Sequence, residues 1–339
     1  MRRPGRRRGG ALVAALATLA FSAALGAALA DLVRVELRLA SERRLTARLL
    51  ALLDGCVADV VADLPAGWDF GAVLAGADAT AGTADDGVVP APPGCTAATR
   101  RAPGGVVPDR TLLRVDARIG GARRHLDALV RRTADAGAGA LLWLSALPGT
   151  GSITGVASLD GGGAAAPLAS LAAPADPETL DAWLAAESLA LEISPGTAAP
   201  VSAPAPPLAE LGARVLAVPH AGAEALVPGG APVVGLAHVA GDLTVDDARQ
   251  GAGLLFVDGS LEVRGSLAFR GVIVVTGGLR IAPGASLAID GGLWLGVGRP
   301  TLSVEGVLVL QRDAAAVAAA DAILRLPRRA VVAGARDAG

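Results

Sequence analysis

Glycines at positions 253, 259, 265, 271 and 277 stand six apart, and that spacing narrows what the C-terminal third of this chain can fold into. Between them the large apolar residues keep to odd positions: Leu255, Val257, Leu261, Val263, Leu267, Phe269, Ile273, Val275, Leu279 and Ile281. The even neighbours Asp258, Ser260, Glu262, Arg264, Ser266, Arg270, Thr276 and Arg280 are polar. Alternation of this kind marks half-buried strands. The same parity continues through Leu287, Ile289, Leu293 and Leu295 and slips at Pro300. Over it lies a longer period, because Gly241-Asp-Leu-Thr-Val, Gly259-Ser-Leu-Glu-Val and Gly277-Gly-Leu-Arg-Ile recur every 18 residues. Three six-residue units to a turn describe a parallel β-solenoid over residues 233–311, with aliphatics inside and glycine at the corners. An antiparallel meander would share the alternation but has no reason to keep the period. The repeat places Asp246 beside Arg264 and Glu262 beside Arg280 on adjacent turns, pairs that are weakly favourable across strands. Residues 313–325, DAAAVAAADAILR, read as a helix capping the last turn, where bare strand edges would otherwise invite pairing. Residues 312–339 are thus a capping helix and a loose basic tail.

The opposite end is a different material. Residues 11–30 carry no charge and follow the basic leader MRRPGRRRGG, residues 1–10. About 20 apolar residues in a helix cross a bilayer core. Arg2, Arg3, Arg6, Arg7 and Arg8 would hold the leader in the cytoplasm. The expected location is therefore the inner membrane, single-pass, with the C-terminal part periplasmic or extracellular. Beyond residue 30 the pattern turns amphipathic, with Leu32, Val35, Leu39, Leu45, Leu49, Leu52, Leu53, Val57 and Val60 at mostly three- and four-residue steps. The first proline after the leader is Pro65. One helix over residues 11–64 follows, on the order of 80 Å long at about 1.5 Å per residue. A cleaved secretory signal is an alternative, since Ala28-Leu29-Ala30 has the Ala-x-Ala form. Its apolar region, however, exceeds the roughly 7 to 15 residues of such signals. A plain single-span anchor is the third possibility.

The residues around Gly10 carry a resemblance. Arg8-Gly9-Gly10-Ala11-Leu12-Val13, the apolar run, and then Glu36, Arg38, Glu42, Arg43 and Arg44 resemble the class III start of type IV pilins and pseudopilins. The closer likeness of the two is to PilX-type minor pilins, and it covers about the first 60 residues. The resemblance implies a cut between Gly10 and Ala11 by a prepilin peptidase, with Ala11 becoming an N-methylated amine. It implies a pilin-like head behind the helix. It also implies assembly, not catalysis, in a type IV pilus or type II secretion-like filament, with the membrane and other pilins or pseudopilins as partners. Major pilins carry a Glu at the fifth place after the cut, where this chain has Ala15, a departure shared with minor and tip subunits. The C-terminal repeats look like the extension of some PilX-like proteins and are similar in rhythm to bactofilin-type polymers.

Composition removes several chemistries. The chain has no lysine, which excludes a Walker A loop, a Ser-x-x-Lys nucleophile and a Schiff-base lysine. Without the five leader arginines, 25 basic residues face 32 acidic ones. No basic patch is expected beyond the leader, so nucleic acid is not an expected partner. Two cysteines, Cys56 and Cys95, form the simplest disulfide in an exported chain. The alternative is two unrelated thiols. His125, His220 and His238 are scattered and show no zinc spacing. No metal, cofactor or catalytic residue is expected.

The middle of the chain reads as a small α+β head over residues 65–194 and a Pro-rich linker over residues 195–232. Trp68 and Phe70 would cap the long helix against that head. Asp78, Asp85 and Asp86 in DATAGTADDG faintly resemble a calcium loop, but several oxygen ligands and the closing Glu are missing. A solvated turn is the plainer reading. Residues 111–133 form a hairpin turning at Gly120-Gly121, with Leu113, Val115 and Ala117 facing one way and Leu126, Ala128 and Val130 returning. Residues 140–147 and 152–159 would be a pair of strands, and Asp176-Pro177 starts a short helix. Gly149-Thr150-Gly151-Ser152 lacks the remaining glycine of a nucleotide loop.

The whole is an α+β chain: a long N-terminal transmembrane, pilin-like helix, a small antiparallel β head, and a C-terminal parallel β-solenoid capped by a short helix. Two further functions remain open. An exported, anchored β-helix protein could bind or act on polysaccharide, but such sites need carboxylates clustered on one outer face, and the outward acids Asp242, Asp246, Asp258 and Glu262 are spread over the turns, two of them with expected Arg neighbours. A polymer-forming scaffold would stack solenoids end to end.

Overall fold

The computed structural model describes residues 8–76, 78, 80–101, 109–133, 141–145, 153–162, 169–171, 182–183, 185–187, 191–194, 201–202, 206–296 and 301–337. Helix α1, Arg8–Asp63, is a single element of 56 residues, about 84 Å long at 1.5 Å per residue. Alanine and leucine sustain it, and it stops before Pro65, whose ring disfavours helical backbone at Leu64. Its C-terminal third is amphipathic in practice. Leu49, Leu53, Val57, Val60 and Leu64 are buried and pack with Phe70, Leu113, Val115, Ala128 and Val130.

The surface they pack on is a five-stranded antiparallel sheet. Strands β1 (Val88–Val89), β2 (Cys95–Arg101), β3 (Arg110–Ile119) and β4 (Ala122–Arg132) follow one another in space. The hairpin turns at Gly120, with φ 59°, and Ile119 faces Ala122 across it. The fifth strand comes from the far end of the chain: Ala330–Asp337 pairs antiparallel with β4. Residues 330–337 are therefore not a loose tail. Without them β4 would present an open edge.

The solenoid is parallel throughout. Strands β10 (Val234–Ala240), β12 (Ala248–Asp258), β14 (Ser266–Val275), β16 (Ser286–Leu295) and β18 (Val307–Gln311) stack in order. The short strands β11 (Leu243–Val245), β13 (Leu261–Val263), β15 (Leu279–Ile281) and β17 (Leu302–Val304) stack beside them. About four turns result. The 18-residue offset holds at Ala248↔Ser266 and widens at Ser266↔Ser286, where Pro283-Gly284 lengthen the turn. Long strands bend at a glycine column, Gly235, Gly253, Gly271 and Gly291, each opposite the next. At Gly271, with φ +135°, a Cβ would come 1.9 Å from the carbonyl oxygen of Gly253, so no other residue fits the corner. Inside lie the odd-numbered aliphatics, Leu255 to Ile281, in one dry cluster.

Three expectations need correction. The strands described between residues 142 and 202 stack on the solenoid and not on the head. Strands β5 (Leu142–Leu144) and β6 (Val156–Asp160) pair parallel with β16 and β18, not with each other. Beyond them β7 (Ala169–Leu171), β8 (Leu191–Ile193) and β9 (Val201–Ser202) extend the stack. One turn is thus composite, with β18 and β5 side by side along β16. The cause of the misreading is that Leu141 to Leu144 are buried on both faces, and a continuous apolar run does not reveal its partner. Second, the supposed linker contains a helix, Leu208–Leu216, with Leu208, Leu211 and Val215 buried. Third, helix Ala314–Ile323 caps no end. It crosses β10, β12, β14 and β16. Together the two helices cover the even-numbered apolar residues Leu254, Phe256, Val272, Val274 and Trp294. Three of the four tryptophans, Trp68, Trp143 and Trp294, sit in this layer. Phe70 does join the core of the head, whereas Trp68 reaches the solenoid flank and donates to the Arg325 carbonyl at 2.6 Å. Residues 149–152, 176–181 and 195–200 lie outside the described residues.

Candidate functional site: the exposed helix and the rim of the head

From Leu12 to Leu39 no side chain of α1 is buried. Leu12 is 66 % exposed, Phe21 70 % and Leu37 65 %. A helix this apolar, long enough to cross a membrane and lying near the N-terminus, is the property shared by membrane anchors and signal sequences. Leaving such a surface in water is unfavourable by about 25 cal/mol per Å², a cost that an apolar environment around the helix would remove. Gly10 and Ala11 lie in the first turns of α1. Helix continues without a break through Ala28, Leu29 and Ala30.

Where the helix meets the head, Cys56 is joined to Cys95 at the start of β2. The bond ties α1 to the sheet at the level of its buried stripe. Higher up, Arg132 is buried and gathers the carbonyls of Pro65, Asp69 and Arg328, over the Phe70 ring. Burial lowers its pKa to about 10. Its fan of donors satisfies loop carbonyls where three segments converge. In β4, Asp127 accepts from Arg114 at 2.7 and 2.9 Å. Those bonds hold its carboxyl below the usual range.

The outward carboxylates of the solenoid are engaged within the fold. Asp242 accepts from the Ser260 amide and Asp258 from the Thr276 hydroxyl. Asp246 lies 3.6 Å from Arg264, and Glu262 lies 2.8 Å from Arg264 and 3.6 Å from Arg280. These bonds run mostly from turn to turn and form a ladder along the solenoid, as the repeat requires. In the acidic loop the Thr83 hydroxyl donates to Asp85 at 2.7 Å, and Asp86 accepts from the Gly82 amide. The loop is a turn held by its own carboxylates. His220 and His238 meet edge to face at 5.2 Å, far in sequence from His125 on β4. Among the described residues no group of three or more His, Cys, Asp or Glu is arranged to hold a metal.

One feature escaped the sequence. The β3–β4 turn lies against residues 42–49 of α1, where Glu42, Leu45, Thr46, Leu49, Ala122, Arg123 and Arg124 line a shallow cleft. That contact brings Arg43, Arg44 and Arg48 level with Arg118, Arg123 and Arg124 around the lower rim of the head. The expectation of no basic patch beyond the leader is read along the chain, where these two groups of arginines lie far apart; here they share one level of the head, with Arg118 and Arg123 on the sheet face turned away from α1. Only the hairpin register, combined with the helical face that packs on it, could have placed the two groups together.

Comparisons with protein-family models, with curated proteins and with solved structures found no match.

Proposed function

We propose that this chain is a membrane-inserted assembly subunit of the minor pilin or pseudopilin kind, carrying a β-solenoid outward on its head. The observation that carries the reading is the division of α1. One helix has a buried stripe from Leu49 to Leu64 and a wholly exposed apolar part from Leu12 to Leu39. Such an element has two successive apolar homes to fill, a bilayer and then the helices of neighbouring subunits. Its continuity through Ala30 supports retention of the helix over cleavage by a secretory peptidase. In this reading Gly10 and Ala11 are the processing site, a prepilin peptidase and other pilins are the partners, and the protein is not an enzyme. The paired carboxylates of the solenoid support a structural role for that surface over polysaccharide chemistry.

The mature N-terminus tests it. Intact-mass and terminal-peptide mass spectrometry on the membrane fraction should find a chain beginning at Ala11 with one added methyl group. A chain beginning at Asp31, or an unprocessed Met1, would overturn the pilin reading.

A further inference from the structure

The lower rim of the head concentrates charge of one sign. Arg43, Arg44 and Arg48 on α1 are exposed, as are Arg118 and Arg123 on the hairpin, with Arg124 half-buried beside them. The carboxylates at this level are Glu42 and Asp116, and Asp116 is already paired with Arg123 at 3.1 Å. Elsewhere acid prevails, since the whole chain has 30 basic and 32 acidic residues and the leader and this rim hold a large share of the basic ones. The rim also has a direction. It lies on the side of the head nearest the apolar part of α1, because the strands run from the turn at Gly120–Gly121 up toward the Pro65 end. From Ala30 to Thr46 is about 24 Å along the helix at 1.5 Å per residue.

We propose that this rim docks on the anionic phospholipid headgroups of the membrane that α1 enters. The inference rests on the membrane-inserted reading above. With α1 upright the hairpin stands roughly 20 Å above the hydrocarbon, beyond the Debye length of about 8 Å. Membrane helices tilt by up to about 40°. The hairpin stands off one flank of α1, so leaning that way carries Arg118 and Arg123 down to headgroup depth. Guanidinium matches phosphate with two parallel hydrogen bonds. Each arginine brought to an anionic surface multiplies the docked-to-free ratio by about fivefold (about 1 kcal/mol). Nucleic acid offers the same phosphates, but a rim turned to the bilayer meets headgroups whenever the helix is inserted. Docked, the head leans toward the membrane on a tilted α1; released, it stands clear with its helix free to meet others.

The experiment uses the full chain in nanodiscs of phosphatidylcholine alone or with about one-third phosphatidylglycerol. The two native cysteines are bonded to each other, so Gly121→Cys supplies a single free thiol for a fluorophore, at a position with open space around it. Energy transfer to a headgroup acceptor should rise in the anionic discs and return to the neutral level at about 1 M salt, where the Debye length is about 3 Å. The Arg118→Glu, Arg123→Glu double variant should lower the docked-to-free ratio more than tenfold. Its melting curve reports folding, and the salt response of the unreversed chain tests the proposal if the variant does not fold. Equal transfer in both discs, with α1 resistant to alkaline extraction, would overturn docking alone. Loss of the chain from the membrane on extraction would overturn the membrane reading and docking with it. Duplex DNA binding to the rim in neutral discs, lost in the double variant and without a lipid effect, would give the rim to nucleic acid instead.

Discussion

Asp127 shows how much a single carboxylate can depend on its setting. It is 3 % exposed, doubly bonded to Arg114, and 4.0 Å from Arg336 of the C-terminal strand. Because its folded pKa is depressed, the stability it contributes is present above the ordinary carboxylate pKa of about 3.9. It is lost as pH falls through the lower folded value. Asp127→Asn should cost about 2 kcal/mol at pH 7, the worth of hydrogen bonds to a charged group, and should flatten the loss of stability below about pH 4. Thermal melts at neutral and acid pH measure both. Parallel curves for the two proteins would mean that the pair contributes nothing. The hairpin around Gly120–Gly121 was legible in the sequence, and its register sets Arg114 opposite Asp127. The burial of Asp127 was not legible, because the Ala330–Asp337 strand that pairs with β4 is some two hundred residues away.

At the scale of elements, local rules read what was local. Alternation and the 18-residue period gave the solenoid its inward residues and its turn-to-turn ion pairs, since the pleat and the repeat are both written in short stretches. Partner choice is not. Leu142–Leu144 is a short apolar strand and Ala330–Asp337 a mixed, largely exposed one, and the neighbours of both lie far along the chain. The runs LLFV and VIVV did hold a clue to two-sided burial, because strands covered on both faces lose their alternation. That clue points to a covering layer over Phe256 and Val274 but not to which helices supply it. Deleting residues 330–339 should uncover the long edge of β4, lower the melting temperature of the head and promote self-association. Sedimentation and melting of the truncated chain check this; an unchanged monomer would show that the edge needs no cover.

For the whole molecule, the Cys56–Cys95 bond closes a separation of 39 residues and links α1 to its sheet. In the chain-entropy model it contributes about 4 kcal/mol. Reduction should therefore make the head melt well before the solenoid, seen as two separated transitions where the oxidised protein shows them closer together. Coincident transitions with and without reductant would argue against it. The exposed apolar part of α1 was the most legible feature of all, because length and lack of charge alone define it.

The composite turn has a mechanical consequence. The chain passes from head to solenoid after Arg132 and returns from solenoid to head before Ala330, so two covalent crossings join the same two bodies. The return crossing is further pinned by Trp68 on the Arg325 carbonyl, by Gly67 paired with Arg328, and by Arg328 on Asp321 at 2.7 Å. A body on one tether can swivel; a body on two, with the joint bolted between them, resists torsion. Force applied to the solenoid would reach α1 as through a stiff lever arm, with the load shared between both crossings.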